Sequence, residues 1–206
     1  MKPTRQTLLF VALTAMLAGG CAKPPSDKIE AAEKAVKDAQ QSGANVYAPE
    51  EYAKLEGTLS ALKKEAADQE SKFALFQDYG KAEQLAASTA TDAARVKADA
   101  TKKKDEAKAA ALQAQQVAQE AVATTLQLLA KAPVGKDRAA IESIKNDADA
   151  LKASLSQVQA ALDKEDYPAA QAQAKAIDEK SRAVSSEIES ALAKVKKGKP
   201  SAHTRK

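Results

Sequence analysis

Between Lys81 and Ala132 the chain runs 52 residues without a glycine or a proline, and 18 of them are alanine. Alanine loses least on entering a helix, and nothing in this stretch offers the backbone a break. The stretch predicts one helix of roughly 78 Å, at a rise of ~1.5 Å per residue. Alanine also dictates what lies alongside it. A methyl group fills little volume, so apolar surface is buried in thin helix-on-helix seams rather than around a wide core. The rest of the composition agrees: aromatic residues are 3% of the chain, there is no tryptophan, and charged residues are 29%. This is the profile of long helices and coiled coils. The 206 residues allow one domain or a pair of small ones.

Four further helices are expected around this one. The first opens near Ser26 or Asp27, with Glu30 completing a partial capping box, carries Ile29, Ala32, Val36 and Ala39 at helical spacing, and stops at Gly43. The second opens at Pro49, with Glu50 and Glu51 at its positive end. Its seam reads Tyr52, Leu55, Leu59, Leu62, Ala66, Gln69, Phe73 and Phe76 at alternating steps of three and four, with Gln69 the one polar member. Gly57 lies inside that helix, where a missing Cβ could let a neighbour approach closely. Asp78-Tyr79-Gly80 turns the chain into the long third helix. Its seam is expected at Ala82, Ala86, Thr89, Ala93, Val96, Ala100, Ala107, Ala110, Ala114, Val117, Ala121 and Leu128, with Lys103 marking a local opening. Pro133 and Gly135 end it. The fourth helix, from Asp137, has the clearest periodicity: Ile141, Ile144, Ala148, Leu151, Leu155, Val158 and Leu162. Asp163 to Tyr167 turn the chain, and Pro168 opens a fifth helix with a seam at Ala170, Ala174, Ile177, Ser181, Val184, Ile188, Ala191 and Val195.

An internal repeat is visible. Asp78-Tyr79 and Asp166-Tyr167 lie 88 residues apart, and each precedes an alanine-rich seam: Ala82, Ala86 and Val96 against Ala170, Ala174 and Val184. Short turns make successive helices antiparallel neighbours. The expected fold is therefore all-α: elongated antiparallel helical hairpins in coiled-coil-like three-helix bundles that share one long central helix. The first bundle is expected over residues 27–107 and the second over 108–197. A single folded-back bundle is the rival arrangement.

The N-terminus reads as an address. Lys2 and Arg5 precede the apolar run Leu8 to Leu17, followed by Ala18, Gly19, Gly20 and Cys21. A basic segment, a short apolar segment and small residues describe a secretory signal, here residues 1–20. The run is too short to span a bilayer, which takes about 20 apolar residues. Leu17-Ala18-Gly19-Gly20-Cys21 resembles the bacterial lipoprotein box, whose cysteine is lipidated and becomes the mature N-terminus. The commonest form has leucine three residues before the cysteine; here Ala18 fills that place, so the match is to the looser pattern. Ala22 in the following position implies passage to the outer membrane. The alternative is an ordinary signal cut nearby, leaving a free thiol. Cys21 is the only cysteine, so no disulfide forms within the chain. Residues 21–26, with Pro24-Pro25, read as a short extended tether.

A wider resemblance is carried by Gly43-Ala44-Asn45-Val46-Tyr47-Ala48-Pro49-Glu50, set between a short alanine-rich helix and a long one. This resembles an uncharacterised family of bacterial envelope lipoproteins with a YAP-type turn, over about residues 1–100. The resemblance implies an envelope location and a helical fold, and no activity or site. Some members carry a peptidoglycan-binding domain, to which nothing after residue 100 is similar.

Charge is uneven. The net charge is +4, but residues 1–20 and the stretch from Lys194 hold basic residues and no acid. The body between them has 24 basic against 28 acidic residues. The high pI therefore gives no argument for nucleic-acid binding by the body. The basic end, with Lys194, Lys196, Lys197, Lys199, Arg205 and Lys206, is either a solubilising disordered tail (198–206) or a contact for an anionic envelope surface.

Catalytic inventory is thin. The only histidine is His203, in the tail, so no Ser-His-Asp or Cys-His arrangement can be built. There is no glycine-rich phosphate loop and no His/Cys metal cluster. No catalytic residue, cofactor, metal or small-molecule substrate is expected. Four tyrosines stand out: Tyr47 and Tyr52 around Pro49, and Tyr79 and Tyr167 at turns. They read as plugs and turn caps, or as a candidate partner patch. The expected function is a lipid-anchored periplasmic structural or interaction protein at the outer membrane, acting as a spacer or docking rod toward the cell wall or an envelope protein. The alternative is a chaperone-like or carrier module that clamps clients between its hairpins.

Overall fold

The computed structural model describes residues 23–131 and 138–197, and side chains for 23–131 and 141–193. Among these residues the protein is all-α, with no strand: α1 (Ser26–Gln41), α2 (Ala44–Tyr47), α3 (Pro49–Glu70), a 3-10 turn (Ala74–Phe76), α4 (Gly80–Ala130), α5 (Arg138–Asp163) and α6 (Tyr167–Lys197). Two compact units divide between Lys103 and Lys104, four residues before the expected boundary at 107.

In the first unit, α1 ends where Gly43 turns into the left-handed region at φ 85°. A Cβ there would lie 2.9 Å from the Tyr47 ring, so glycine is required twice over. The single turn α2 follows, which the spacing of apolar residues does not show, and Pro49 then opens α3. Two core clusters run along the unit. Val36 and Ala39 of α1, Tyr52 and Leu55 of α3, and Ala93, Val96 and Ala100 of α4 form one. Ala32, Leu62, Tyr79, Ala82 and Ala86 form the other, with Ile29 packed against it. The order of these residues fixes the directions: α1 runs parallel to α4, and α3 runs against both. Ion pairs stitch the same contacts, Lys28–Glu83 at 3.1 Å, Lys63–Glu33 at 2.8 Å and Lys81–Glu65 at 2.6 Å. The start of α1, the end of α3 and the start of α4 therefore share one end of this unit.

In the second unit, α5 and α6 form an antiparallel hairpin against the later part of α4. Ala148, Leu151, Val158 and Leu162 are buried on α5, and Ala170, Ala174, Ile177, Ser181 and Ile188 on α6. Those are positions of the expected seams. Gln115 of α4 donates to Gln159 of α5 at 2.9 Å, and the Thr125 hydroxyl lies 3.1 Å from the Ser181 carbonyl oxygen and 2.9 Å from the Ser185 hydroxyl.

The repeat extends further than its sequence signature. Ala82, Ala86, Thr89, Ala93 and Ala100 are buried, and so are Ala170, Ala174, Ile177, Ser181 and Ile188, each 88 positions on. Asp78 and Asp166 play matching parts. Asp78 Oδ1 accepts from the Gly80 amide at 2.9 Å and Asp166 Oδ1 from the Ala169 amide at 3.2 Å, each carboxylate capping a helix start beside a buried tyrosine.

Four expectations need correction. Helix α4 is continuous through Lys102–Lys104, and Lys103 pairs with Asp99 at 2.9 Å and Glu51 at 3.5 Å rather than opening the seam. Beyond Ala100 the buried stripe does not follow the heptad through Ala110, Val117 and Leu128. It passes through Ala111, Ala118, Val122 and Thr125, and Val117 is 37% exposed. Ala100, Ala111 and Val122 are eleven residues apart, a period of about 3.67, close to the undistorted helix, whereas a strict heptad drifts by ~20° per repeat. Gly57 faces open space, so no neighbour approaches it. Most consequentially, α3 stops at Glu70, and Phe73 and Phe76 leave the seam to stand 70% and 74% exposed. Side chains cap this helix end: the Gln77 amide donates to the carbonyl oxygens of Lys72 at 3.0 Å and Glu70 at 3.5 Å, and Ser71 Oγ donates to that of Asp68 at 2.8 Å.

The two ends of that seam should respond differently to truncation. Leu62→Ala, in the fully buried part, should cost about 2–5 kcal/mol, and Phe73→Ala no more than about 0.5 kcal/mol, by denaturant unfolding. Comparable losses would put Phe73 back in the core.

Candidate functional site

The most distinctive surface is the connection between α3 and α4, where Phe73, Leu75 and Phe76 stand 70%, 77% and 74% exposed. The two phenyl rings lie 6.5 Å apart, tilted by 50°. Most exposed apolar residues on a soluble domain are scattered singly; three together on one short loop form a patch.

The loop is built rather than loose, and Gln69 builds it. This residue is the polar member of the α3 seam and is buried. Its Oε1 accepts from the Asp78 amide and from Lys72 Nζ, both at 3.0 Å, and its Nε2 donates to Glu65 at 2.8 Å. Glu65 in turn accepts from Lys81 at 2.6 Å. A hydrogen bond from the Phe76 amide to the Phe73 carbonyl oxygen at 2.8 Å closes the 3-10 turn. The chain is thus pinned to both helices while its apolar side chains point outward. Hydrogen bonds from Lys81 and then Gln69 hold the Glu65 carboxyl below the usual carboxylate range.

The start of α1 packs against Tyr79 and the first turns of α4, which follow this loop. Ile29 packs on the Tyr79 cluster, and Lys28 reaches Glu83 in the first turn of α4. The loop and the start of α1 therefore lie at the same end of the unit.

Within the first unit the tyrosines fall in two clusters, and Tyr167 belongs to the second unit. Tyr52 is buried in the cluster with Val36 and Ala93, with Tyr47 half-buried against it; Tyr79 is buried in the other cluster; and Tyr167 is buried in the second unit. Burial first, and then hydrogen bonding to Glu56, pushes the Tyr52 phenol up; burial, and then the charge of Glu70, does the same for Tyr79. The Tyr79 hydroxyl meets no hydrogen-bond partner among the described residues, so it caps no freed backbone group. Cys21, Lys199, Arg205 and Lys206 lie outside the described residues, as do the side chains of Lys194, Lys196 and Lys197.

The surface grooves are modest. One of about 400 Å³ runs between α1 and α3, past Val36, Tyr52, Leu59, Glu33 and Lys63. Another of about 420 Å³ lies between α5 and α6, past Leu151, Ile177, Val184, Asp147 and Lys180. Among the described residues no group of three or more His, Cys, Asp or Glu side chains could hold a metal ion, and no helix is long and apolar enough to cross a membrane. Comparison with protein-family models, with curated proteins and with solved structures finds no match.

The Glu65 pair makes the loop's support sensitive to acid. A carboxyl held low in the folded state stabilises it above the ordinary glutamate range, about pH 4, and that contribution is lost as pH falls through the depressed value. Melting temperature followed from neutral to acid pH should fall less steeply for Glu65→Gln than for the parent chain. Parallel curves would show that the pair contributes nothing.

Proposed function

We propose that this chain is a lipid-anchored envelope protein of the bacterial periplasm that works by docking or spacing rather than by catalysis. The observation that carries this reading is Leu17-Ala18-Gly19-Gly20-Cys21, a lipoprotein box after a basic and apolar leader. Acylation of Cys21 would leave residues 21–25 as the tether before α1 begins at Ser26, so a packed helical unit would sit close to the membrane surface. Outer-membrane placement follows from Ala22, and the basic residues from Lys194 onward supply an electrostatic contact for anionic envelope surfaces. The helical units offer long faces with charged residues outside and alanine inside, which suits binding along a surface better than enclosing a substrate. A carrier that clamps clients between its hairpins draws less support, because Leu62, Val158 and Ile188, the large side chains such a clamp would present, are packed inside their units.

The test is chemical. Expressed in a Gram-negative host with labelled palmitate, the chain should take up label, and its N-terminal peptide should begin at an acylated Cys21. Cys21→Ser should take up none. An unmodified Cys21 in the mature protein would overturn the reading.

A further inference from the structure

We propose that the loop carrying Phe73, Leu75 and Phe76 is a second membrane contact, which inserts its three apolar side chains into the interfacial region of the bilayer. For the position of that bilayer the inference rests on the anchored reading above.

Three observations point to lipid rather than to a protein or a second copy of the chain. The first is where the chain leads. Ser26 stands five positions after Cys21, a reach of at most about 18 Å. The start of α1 is held at the loop's end of the unit by Lys28–Glu83 and by Ile29 on the Tyr79 cluster. A bilayer holding Cys21 lies within reach of this end.

The second is construction. Backbone polar groups are costly in hydrocarbon unless they are satisfied. Here three of the loop's groups are satisfied within the chain, the Asp78 amide by Gln69, the Lys72 carbonyl oxygen by Gln77 and the Phe73 carbonyl oxygen by Phe76. This suits the interfacial region, where the other backbone groups still meet water, rather than the hydrocarbon centre. The loop can present apolar side chains without first unmaking its own hydrogen bonds.

The third is an internal comparison. Leu62, Gln69 and Phe73 on the first hairpin stand 89 positions before Leu151, Val158 and Leu162 on the second. The first two pairs are buried in both hairpins. In the third, Leu162 is buried at its turn whereas Phe73 is turned outward. A hairpin of this kind can hide an apolar residue at that position, so the exposure at residues 73–76 is particular to the tethered end.

The chain has no tryptophan, so one introduced indole reports alone. The full chain carrying Phe76→Trp, purified from membranes, is reconstituted into vesicles of phosphatidylethanolamine and phosphatidylglycerol. Val46→Trp, at an exposed site toward the other end of the unit, serves as the control. Emission of the Phe76→Trp chain should shift to shorter wavelength, be quenched by brominated lipid, and be quenched several-fold less by acrylamide than the control. Replacing Phe73 and Leu75 with serine in the same chain should restore acrylamide quenching of the loop indole. A loop indole open to acrylamide in the acylated protein would overturn the inference and leave the anchor standing. One shielded from both quenchers would mean that protein covers the loop, a second copy or a partner, and would also overturn it. The mass of the N-terminal peptide reads the anchor separately: lipid contact by the loop indole without an acyl chain on Cys21 would sustain the loop and defeat the anchor.

Discussion

Everything in this fold depends on helices coming close enough for alanine to count as core. At a face made of methyl groups little apolar surface is buried per residue, so the seam works only through close approach and great length. The long helix α4 supplies Ala82, Ala86, Ala93 and Ala100 in the first unit and Ala111 and Ala118 in the second, all essentially buried. Larger residues appear as occasional pegs: Leu55 and Leu62 in the first unit, Val158 and Ile188 in the second. Polar residues small enough to fit are admitted to the same stripe, among them Thr89, Thr125 and Ser181. Thr125 makes use of its hydroxyl between helices, whereas Thr89 Oγ1 and Ser181 Oγ meet no partner among the described residues. At those two positions size, not hydrogen bonding, accounts for the fit.

How much of this is legible in the sequence follows from what fixes each element. The seam from Ile141 to Leu162 can be read because branched and long apolar residues recur over three heptads with few rivals on other faces. Helix ends marked by glycine or proline are legible for the same local reason, Gly43 and Pro49 above all. The second half of α4 is not, because alanines at Ala109, Ala110, Ala111 and Ala114 present nearly equal stripes on several faces. Which one is buried depends on the partner helices, and the partners select the one that follows the natural period of the helix. The end of α3 misleads because Phe73 and Phe76 keep the heptad spacing perfectly. The signal against them is Gln69. A polar residue in an otherwise apolar seam is worth asking what it binds; here it binds the backbone of the very loop that removes those phenylalanines from the core.

Function lies at the edge of what local patterns carry. The resemblance of Leu17 to Cys21 to a lipoprotein box is a linear signal and can be read without a fold. The apolar loop is the opposite case: its residues look like core in one dimension and become a surface only when Gln69, Gln77 and Asp78 close the turn. The buried tyrosines show the same limit from the other side. Their rarity suggests a patch, yet Tyr52 is buried in one cluster with Tyr47 against it, Tyr79 in another, and Tyr167 in the second unit.

The claim beneath this account is that alanine seams hold because nothing larger fits between the helices. It is tested by comparing two neighbours on α4, Ala93, buried against Val36 and Tyr52, and Ala94, exposed. Unfolding of the Ala93→Leu and Ala94→Leu chains by denaturant measures the difference. The account predicts a loss of about 1–3 kcal/mol or more for Ala93→Leu and little change for Ala94→Leu. Equal stabilities would contradict it, since a leucine could then enter the seam without forcing the helices apart.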